Sequence, residues 1–266
     1  MQIFEYEDTL RQSLLCLNYD FTEDCQSDRE VVCHRFGRGI DAKRYWSYGQ
    51  HFKGLHVLLA LEGSTPVGQI EIIPIEHAPQ PVDGEGLMFV DCLYVAPQAR
   101  RRGVGSRLLQ AAEEKAHEQA KKGLALIAYP GTTRMPVSFF VERDFLPVAE
   151  DDGRYLMTKT WADVRPPEFM RRCLPSAETR ERGKVVVDYF WSGQCPYAVR
   201  LRDRLLAISR EMDHRLVLRE VNTDDRTALE QFGIAQGCYL NGRHAFTDPP
   251  SEAQIRRALE EALQAA

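Results

Sequence analysis

Residues 93 to 106 run Leu93-Tyr94-Val95-Ala96-Pro97-Gln98-Ala99-Arg100-Arg101-Arg102-Gly103-Val104-Gly105-Ser106: an apolar strand end, a basic turn with two glycines, and the opening of a helix. Few folds accept such a segment. Unpaired backbone N–H groups at a helix start, the helix dipole, glycines that let the backbone approach closely and guanidinium charge together make an anion trap. The trap needs a rigid support. Leu87 to Val95, apolar along nearly its whole length, reads as a central strand buried on both faces. A helix follows from Gly105 to Lys121, with Val104, Leu108 and Ala112 stepping by four along one face and Glu113, Glu114, Lys115 and Glu118 on the other. Gly123 reads as its stop. The chain is therefore expected to be α/β.

The flanking segments extend that layout. Asp41 to Gly54 reads as a helix, and His56 to Leu61 and Val67 to Ile75 read as a hairpin about the turn Glu62-Gly63-Ser64-Thr65-Pro66. After a turn-rich loop, 78 to 86, and the segment above come another buried strand, Leu124 to Tyr129, and a short helix near Pro136 to Arg143. Two strands, Phe145 to Ala149 and Arg154 to Lys159, then turn at Asp151-Asp152-Gly153. From Trp161 to Gly183 no period holds, and Pro166-Pro167, Pro175 and the charged stretch Glu178 to Arg182 read as a linker. Strands and helices then alternate on a small scale: strand Lys184 to Phe190, helix Pro196 to Met212, strand Arg215 to Val221, a short helix, paired strands near Cys238 to Phe246, and a helix from Ser251. At 266 residues two domains are favoured over one core. The expected division is 1–161, a linker at 162–183, and 184–266.

Composition removes several classes. A hydrophobic content of 44% with 27% charged residues suits a globular protein. No apolar run approaches the roughly 18 to 20 residues of a membrane span, and Met1 to Glu7 lacks the parts of a signal peptide, so the expectation is a cytoplasmic protein without membrane association. Seven cysteines (16, 25, 33, 92, 173, 195 and 238), with no C-x-x-C pair among them, argue against a disulfide framework and a zinc ribbon. His51, His56, His77 and His117 show no ligand spacing either, so no metal is expected. Residues 1 to 161 hold 18 basic against 23 acidic residues and the remainder 16 of each, a balance that gives no reason to expect nucleic acid as a partner.

The strand end Leu93-Tyr94-Val95-x-Pro97 followed by Arg100-x-x-Gly103-x-Gly105 resembles motif A of the GNAT family of N-acetyltransferases. Phe139-Phe140-Val141-Glu142-Arg143-Asp144-Phe145 resembles that family's closing segment F-Y-x-x-x-G-F, so the likeness runs over about residues 1 to 161. It implies a mixed sheet flanked by helices, with acetyl-CoA as co-substrate between the strands at 87–95 and 124–129. The pantetheine arm would pair with the backbone around Leu93, Tyr94 and Val95. The diphosphate would rest on Arg100, Arg101, Arg102, Gly103, Val104, Gly105 and Ser106. Acetyl transfer needs an uncharged amine, a donor for the oxyanion and a proton for the thiolate. Asp91, an acid inside an apolar strand, is the candidate base, although an Asp there can also be satisfied by backbone N–H groups. Phe140 stands where the family often has the tyrosine that protonates the thiolate. Tyr94, Tyr129 or water are the remaining sources.

In the last 83 residues, Trp191-Ser192-Gly193-Gln194-Cys195-Pro196-Tyr197-Ala198 reads as strand end, loop and helix start. A thiol there is favoured as thiolate by the dipole, which makes Cys195 a candidate reactive thiol. The segment resembles a glutaredoxin-type C-P-Y-C site, implying a thioredoxin-like domain. Ala198 replaces the second cysteine, however, and 235 to 242 lack the expected proline. With Tyr239-Leu240-Asn241-Gly242-Arg243, the arrangement resembles the YoaP type of GNAT acetyltransferase, in which a small domain follows the catalytic one. The expected function is N-acetylation of an amine on a small molecule or peptide. A thiol-handling or redox-sensing protein acting through Cys195, with acetyl-CoA as a sensed ligand, is the alternative, and a noncatalytic binding module is a third reading.

Overall fold

The apolar run ahead of the basic turn forms the middle strand of a seven-stranded sheet. The computed structural model describes residues 1–5, 29–131, 134–175, 183–246 and 250–264. Cys16, Cys25 and the charged stretch Glu178 to Arg182 lie outside them. In the first part of the chain these are β1 (Gln2–Glu5), α1 (Arg29–His51), β2 (His56–Glu62), β3 (Thr65–Pro74), β4 (Val82–Asp83) and β5 (Met88–Val95). They continue as α2 (Val104–Glu118), β6 (Gly123–Ala128), α3 (Val137–Val141), β7 (Leu146–Asp151), β8 (Arg154–Thr160) and β9 (Glu168–Phe169). The large sheet has the order β1-β2-β3-β5-β6-β8-β7, antiparallel except where β5 and β6 run parallel, and β4 and β9 form a separate pair. Such a mixed sheet follows from the connections: hairpins make antiparallel neighbours, and the α2 crossover makes the parallel one.

Helix α2 covers one face. Val104, Leu108, Ala112 and Ala116 pack with Ile70 and Ile72 of β3, Val90 of β5 and Leu126 of β6 in one buried cluster. Burying a leucine of this kind contributes about 2 kcal/mol.

Several expected boundaries are corrected. The helix read at Asp41 to Gly54 begins at Arg29 and ends at His51. Its apolar residues follow no clean stripe, so its early turns do not stand out in the sequence. Helix α2 ends at Glu118, where Ala120 takes a left-handed φ of 53°, and not at Gly123. Gly123 instead lies within β6, where a Cβ would sit 2.6 Å from the carbonyl oxygen of Lys159, so it is the close approach of β8 that demands glycine. The opening Gln2–Glu5 is a strand paired with β2. Within the expected linker, Glu168–Phe169 pairs with β4. Asp152 and Gly153, both left-handed, make the two-residue turn between β7 and β8.

The chain divides into two units: Met1–Arg35, Ser47–Ala78 and Val82–Phe169 form one, and Phe36–Trp46, Pro79–Pro81 and Met170–Ala266 the other. The second contains β10 (Val185–Trp191), α4 (Pro196–Met212), β11 (Leu216–Asn222), α5 (Arg226–Phe232), β12 (Gly237–Leu240), β13 (Arg243–His244) and α6 (Glu252–Gln264). Its sheet has the order β11-β10-β12-β13, with β10 parallel to β11 and antiparallel to β12. Val185, Val187, Leu205, Ile208, Ile255 and Leu259 share its core. Asp188, buried in β10, is held by both arms of the Arg219 guanidinium at 2.6 and 2.7 Å.

Asp144, at the glycine position of the segment resembling F-Y-x-x-x-G-F, has φ 67° and is exposed. Asp tolerates this region better than other L-residues, whereas a β-branched side chain does not. Asp144→Gly is expected to keep or slightly raise the melting temperature and Asp144→Val to lose about 1–2 kcal/mol, read by chemical denaturation of the two variants.

Candidate active site

The site grows from an irregularity in β5. Ile70 and Ile72 of β3, and Val90 and Leu93 of β5, all pack into the cluster beneath α2. Between the two isoleucines stands Glu71 alone, whereas between Val90 and Leu93 stand both Asp91 and Cys92; Val90 opposes Ile72 and Cys92 opposes Glu71. The extra residue is a β-bulge. It puts Asp91 and Cys92 together on the face away from α2, the face that Glu71 also takes. Asp91 Oδ2 is closed off from solvent. Glu71 is fully buried and accepts a 2.7 Å hydrogen bond from Gln69 Nε2.

At the same point β5 and β6 separate. They pair only from Met88 to Val90 against Leu124 to Leu126, although β5 runs on to Val95 and β6 to Ala128. Past the bulge Cys92, Leu93, Tyr94 and Val95 of β5 have no register partner in β6. An extended amide-bearing chain fits such an opening.

Beyond it lies the basic turn. Arg101 and Gly103 take φ of 59° and 79°, and Gly103 precedes α2 with no side chain capping the helix. The first amides of α2, on Val104, Gly105 and Ser106, therefore point outward as donors. The three arginines separate in role. Arg100 Nε folds back onto the carbonyl of Val95 at 3.0 Å, Arg102 pairs with Glu62 at 2.8 Å, and Arg101 is exposed at the turn itself. Gly105 is closely packed: a Cβ there would lie 3.2 Å from the ring of Phe139, which would have to give by a few tenths of an ångström.

Sequence reasoning missed Arg143. Its guanidinium lies 3.7 Å from the centre of the Phe139 ring, and Nε and Nη2 donate to Ser106 Oγ at 3.2 and 2.8 Å. The signal was absent because Arg143 and Ser106 are 37 positions apart. The aromatic candidates are placed differently from one another. Tyr94, opposite Gln69, and Tyr129 are both half-buried against the cluster beneath α2, and the guanidinium of Arg134 lies 5.3 Å from the Tyr129 ring. Phe140 is fully buried between Phe139 and Phe145, with ring centroids at 5.1 and 5.6 Å.

Cys195 lies in the second unit, just ahead of α4, half-buried, its carbonyl accepting from Ala198 N at 3.0 Å. The loop before it is stapled by Asp224, whose Oδ1 accepts from Ser192 Oγ at 2.7 Å and from Gly193 N at 2.9 Å. The buried Lys43 donates to the Gln194 carbonyl at 3.0 Å, and a Cβ on Gly193 would meet the Ala42 carbonyl at 3.2 Å, so this part of α1 packs directly on the loop. Cys238 sits beside Tyr189 in the sheet register, and its thiol is pushed up to about 12, by burial first and by Asp188 second. Among the described residues no group of three or more His, Cys, Asp or Glu is placed to hold a metal ion, and no helix is long and apolar enough to cross a membrane. His56 is bound to Glu5 at 2.5 Å and His117 stacks on Trp161 at 4.0 Å.

A thiol-alkylating reagent at neutral pH is expected to modify the exposed Cys173 in the folded protein and to spare Cys238 until denaturant is added. Peptide mass spectrometry reads this directly, and equal labelling of the two would contradict the burial.

Residues 20–135 match the model of the Acetyltransferase (GNAT) family. The uncharacterised N-acetyltransferase YoaP of Bacillus subtilis (strain 168) is 24% identical over 189 residues, covering 68% of this chain and 72% of that one. Two solved structures are similar at TM-score 0.45, each over 60% of this chain and 100% of the other. One is the PaiA N-acetyltransferase of Thermoplasma acidophilum with coenzyme A, at 16% identity, and the other a ribosomal-protein-alanine N-acetyltransferase of Brucella melitensis, at 20%. The parted strands and the donor turn both fall within residues 20–135, the stretch that is similar to GNAT-family acetyltransferases, and this likeness supports the activity of an acetyl-CoA-dependent N-acyltransferase.

Proposed function

We propose that the chain transfers the acetyl group of acetyl-CoA to an amine of a small molecule or peptide, with Asp91 as the base. The observation that carries this reading is the early end of the β5–β6 ladder at Val90, with the donor turn standing at the far end of the same strand. The two features suit the two parts of the coenzyme. Backbone groups of Leu93, Tyr94 and Val95 suit the amides of the pantetheine arm, and the N–H groups of Val104, Gly105 and Ser106, with Arg100 to Arg102 around them, suit the diphosphate. The acyl end would then lie near the bulge.

There Asp91 takes a proton from the incoming ammonium. The freed amine attacks the thioester carbonyl, the carbon–nitrogen bond forms, the carbon–sulfur bond breaks, and the thiolate leaves. Tyr94 or water returns a proton to it. Phe140, buried among aromatic rings, supports neither role. Holding the thioester and the amine in contact supplies much of the acceleration.

The second unit fits a thioredoxin-like domain, as part of the proposed division 1–161, 162–183 and 184–266. Its support is the strand–helix–strand–helix–strand–strand–helix order with β10 central, and the placement of Cys195 just before α4. Thiol chemistry as the main activity has less support, because Ala198 replaces a second cysteine and α1 packs over the loop.

Mixing the purified protein with acetyl-CoA and a panel of primary amines should release coenzyme A thiol and give acetylated amine by mass spectrometry. Asp91→Asn is expected to lower kcat by about 10²–10⁴-fold, the usual worth of a general base, and Gly105→Glu to abolish coenzyme A binding by setting a negative charge at the start of α2, where the diphosphate would rest. Turnover unchanged in the first variant would remove the base assignment. Unchanged affinity in the second would remove the coenzyme site.

A further inference from the structure

The hydroxyl of Ser106 has two lone pairs to accept with and one hydrogen to give. Arg143 has only donors, and two of them, Nε and Nη2, converge on that one oxygen at 3.2 and 2.8 Å. Both lone pairs of Ser106 are thereby engaged. Its remaining capacity is to donate, from the first turn of α2 and beside main-chain N–H groups that also only donate. A cluster made of donors alone is complementary to the oxygens of an anion such as a phosphate.

Arg143 is itself held from other sides. Nη1 donates to the Phe139 carbonyl at 2.5 Å and lies 3.4 Å from Glu142 Oε2, and the guanidinium plane rests on the Phe139 ring. That ring in turn lies against Gly105. Helix α3 and the turn that follows it therefore grip the start of α2 at two consecutive residues, Phe139 by contact at Gly105 and Arg143 by hydrogen bonds at Ser106.

We propose that Arg143 is a positioning residue for the coenzyme: it fixes the Ser106 hydroxyl as a donor to the diphosphate and does not itself touch the phosphate. The proposal rests on the acetyl-CoA reading above and adds to it a residue from outside the glycine turn.

The test is a double-mutant cycle on coenzyme A binding, measured by calorimetry with the full chain. Ser106→Ala and Arg143→Ala are each expected to weaken binding about five- to tenfold, the range for losing one charge-assisted hydrogen bond. The double variant should be no weaker than either single one, and Ser106→Thr should bind as the parent does. S-acetylpantetheine has the thioester arm without the diphosphate, so the preference for acetyl-CoA over it, as a ratio of kcat/KM, should fall by the same factor in each single variant. A loosened fold would not move that ratio.

If Arg143→Ala weakens binding equally with and without the Ser106 hydroxyl, or lowers the use of both donors alike, the proposal is overturned while the acetyl-CoA reading stands. If the parent protein binds no coenzyme A, both fall together.

Discussion

Strands β5 and β6 are partners for three residues and then part, and almost every functional feature of the first unit follows from that separation. A parallel pair that stayed in register would spend the backbone groups of Leu93 to Val95 on the sheet itself. The bulge at Asp91 sits where pairing stops, and a bulge sharpens local twist and bends the strand that contains it. The same extra residue turns a carboxylate onto the face away from α2. One insertion in the ladder thus coincides with the parting of the strands and sets a carboxylate beside it.

The outer end is made by a different device. No side chain caps α2, and the residues around its start are arranged to leave donors exposed: Gly103 in a left-handed turn, Gly105 flush with Phe139, Ser106 held by Arg143. Ordinary helices satisfy their first amides with an Asp, Ser or Thr cap. Leaving them open costs stability unless an anion supplies the missing acceptors, which is why the same turn that weakens the isolated helix suits a diphosphate.

The second unit shows the opposite economy around its cysteine. Asp224 closes the hydrogen bonds of Ser192 and Gly193, Lys43 closes the Gln194 carbonyl, and α1 lies against the loop. The cluster of main-chain groups that a thiol-exchange loop would offer to a substrate is here engaged by the chain's own residues. Cys238 is protonated by burial, and Tyr189, whose hydroxyl donates to Ala198, is pushed up by burial as well.

The sequence by itself determined the strand, turn and helix at 87 to 118, though not where the helix stops, because apolar runs, glycine and periodicity are local properties of the chain. It also marked Asp91 as an oddity, since an acid in an apolar run is visible without coordinates. Tertiary structure decided what that acid faces, for a bulge is a mismatch between two strands and neither strand records it alone. Arg143 and Ser106, far apart along the chain, meet only when α3 packs on α2. Gly123, read as a helix stop, proved to be spacing for β8. The Phe36–Trp46 stretch of α1 grouped with the second unit for the same reason: which surface buries a helix is settled by packing against distant residues, not by the helix's own pattern.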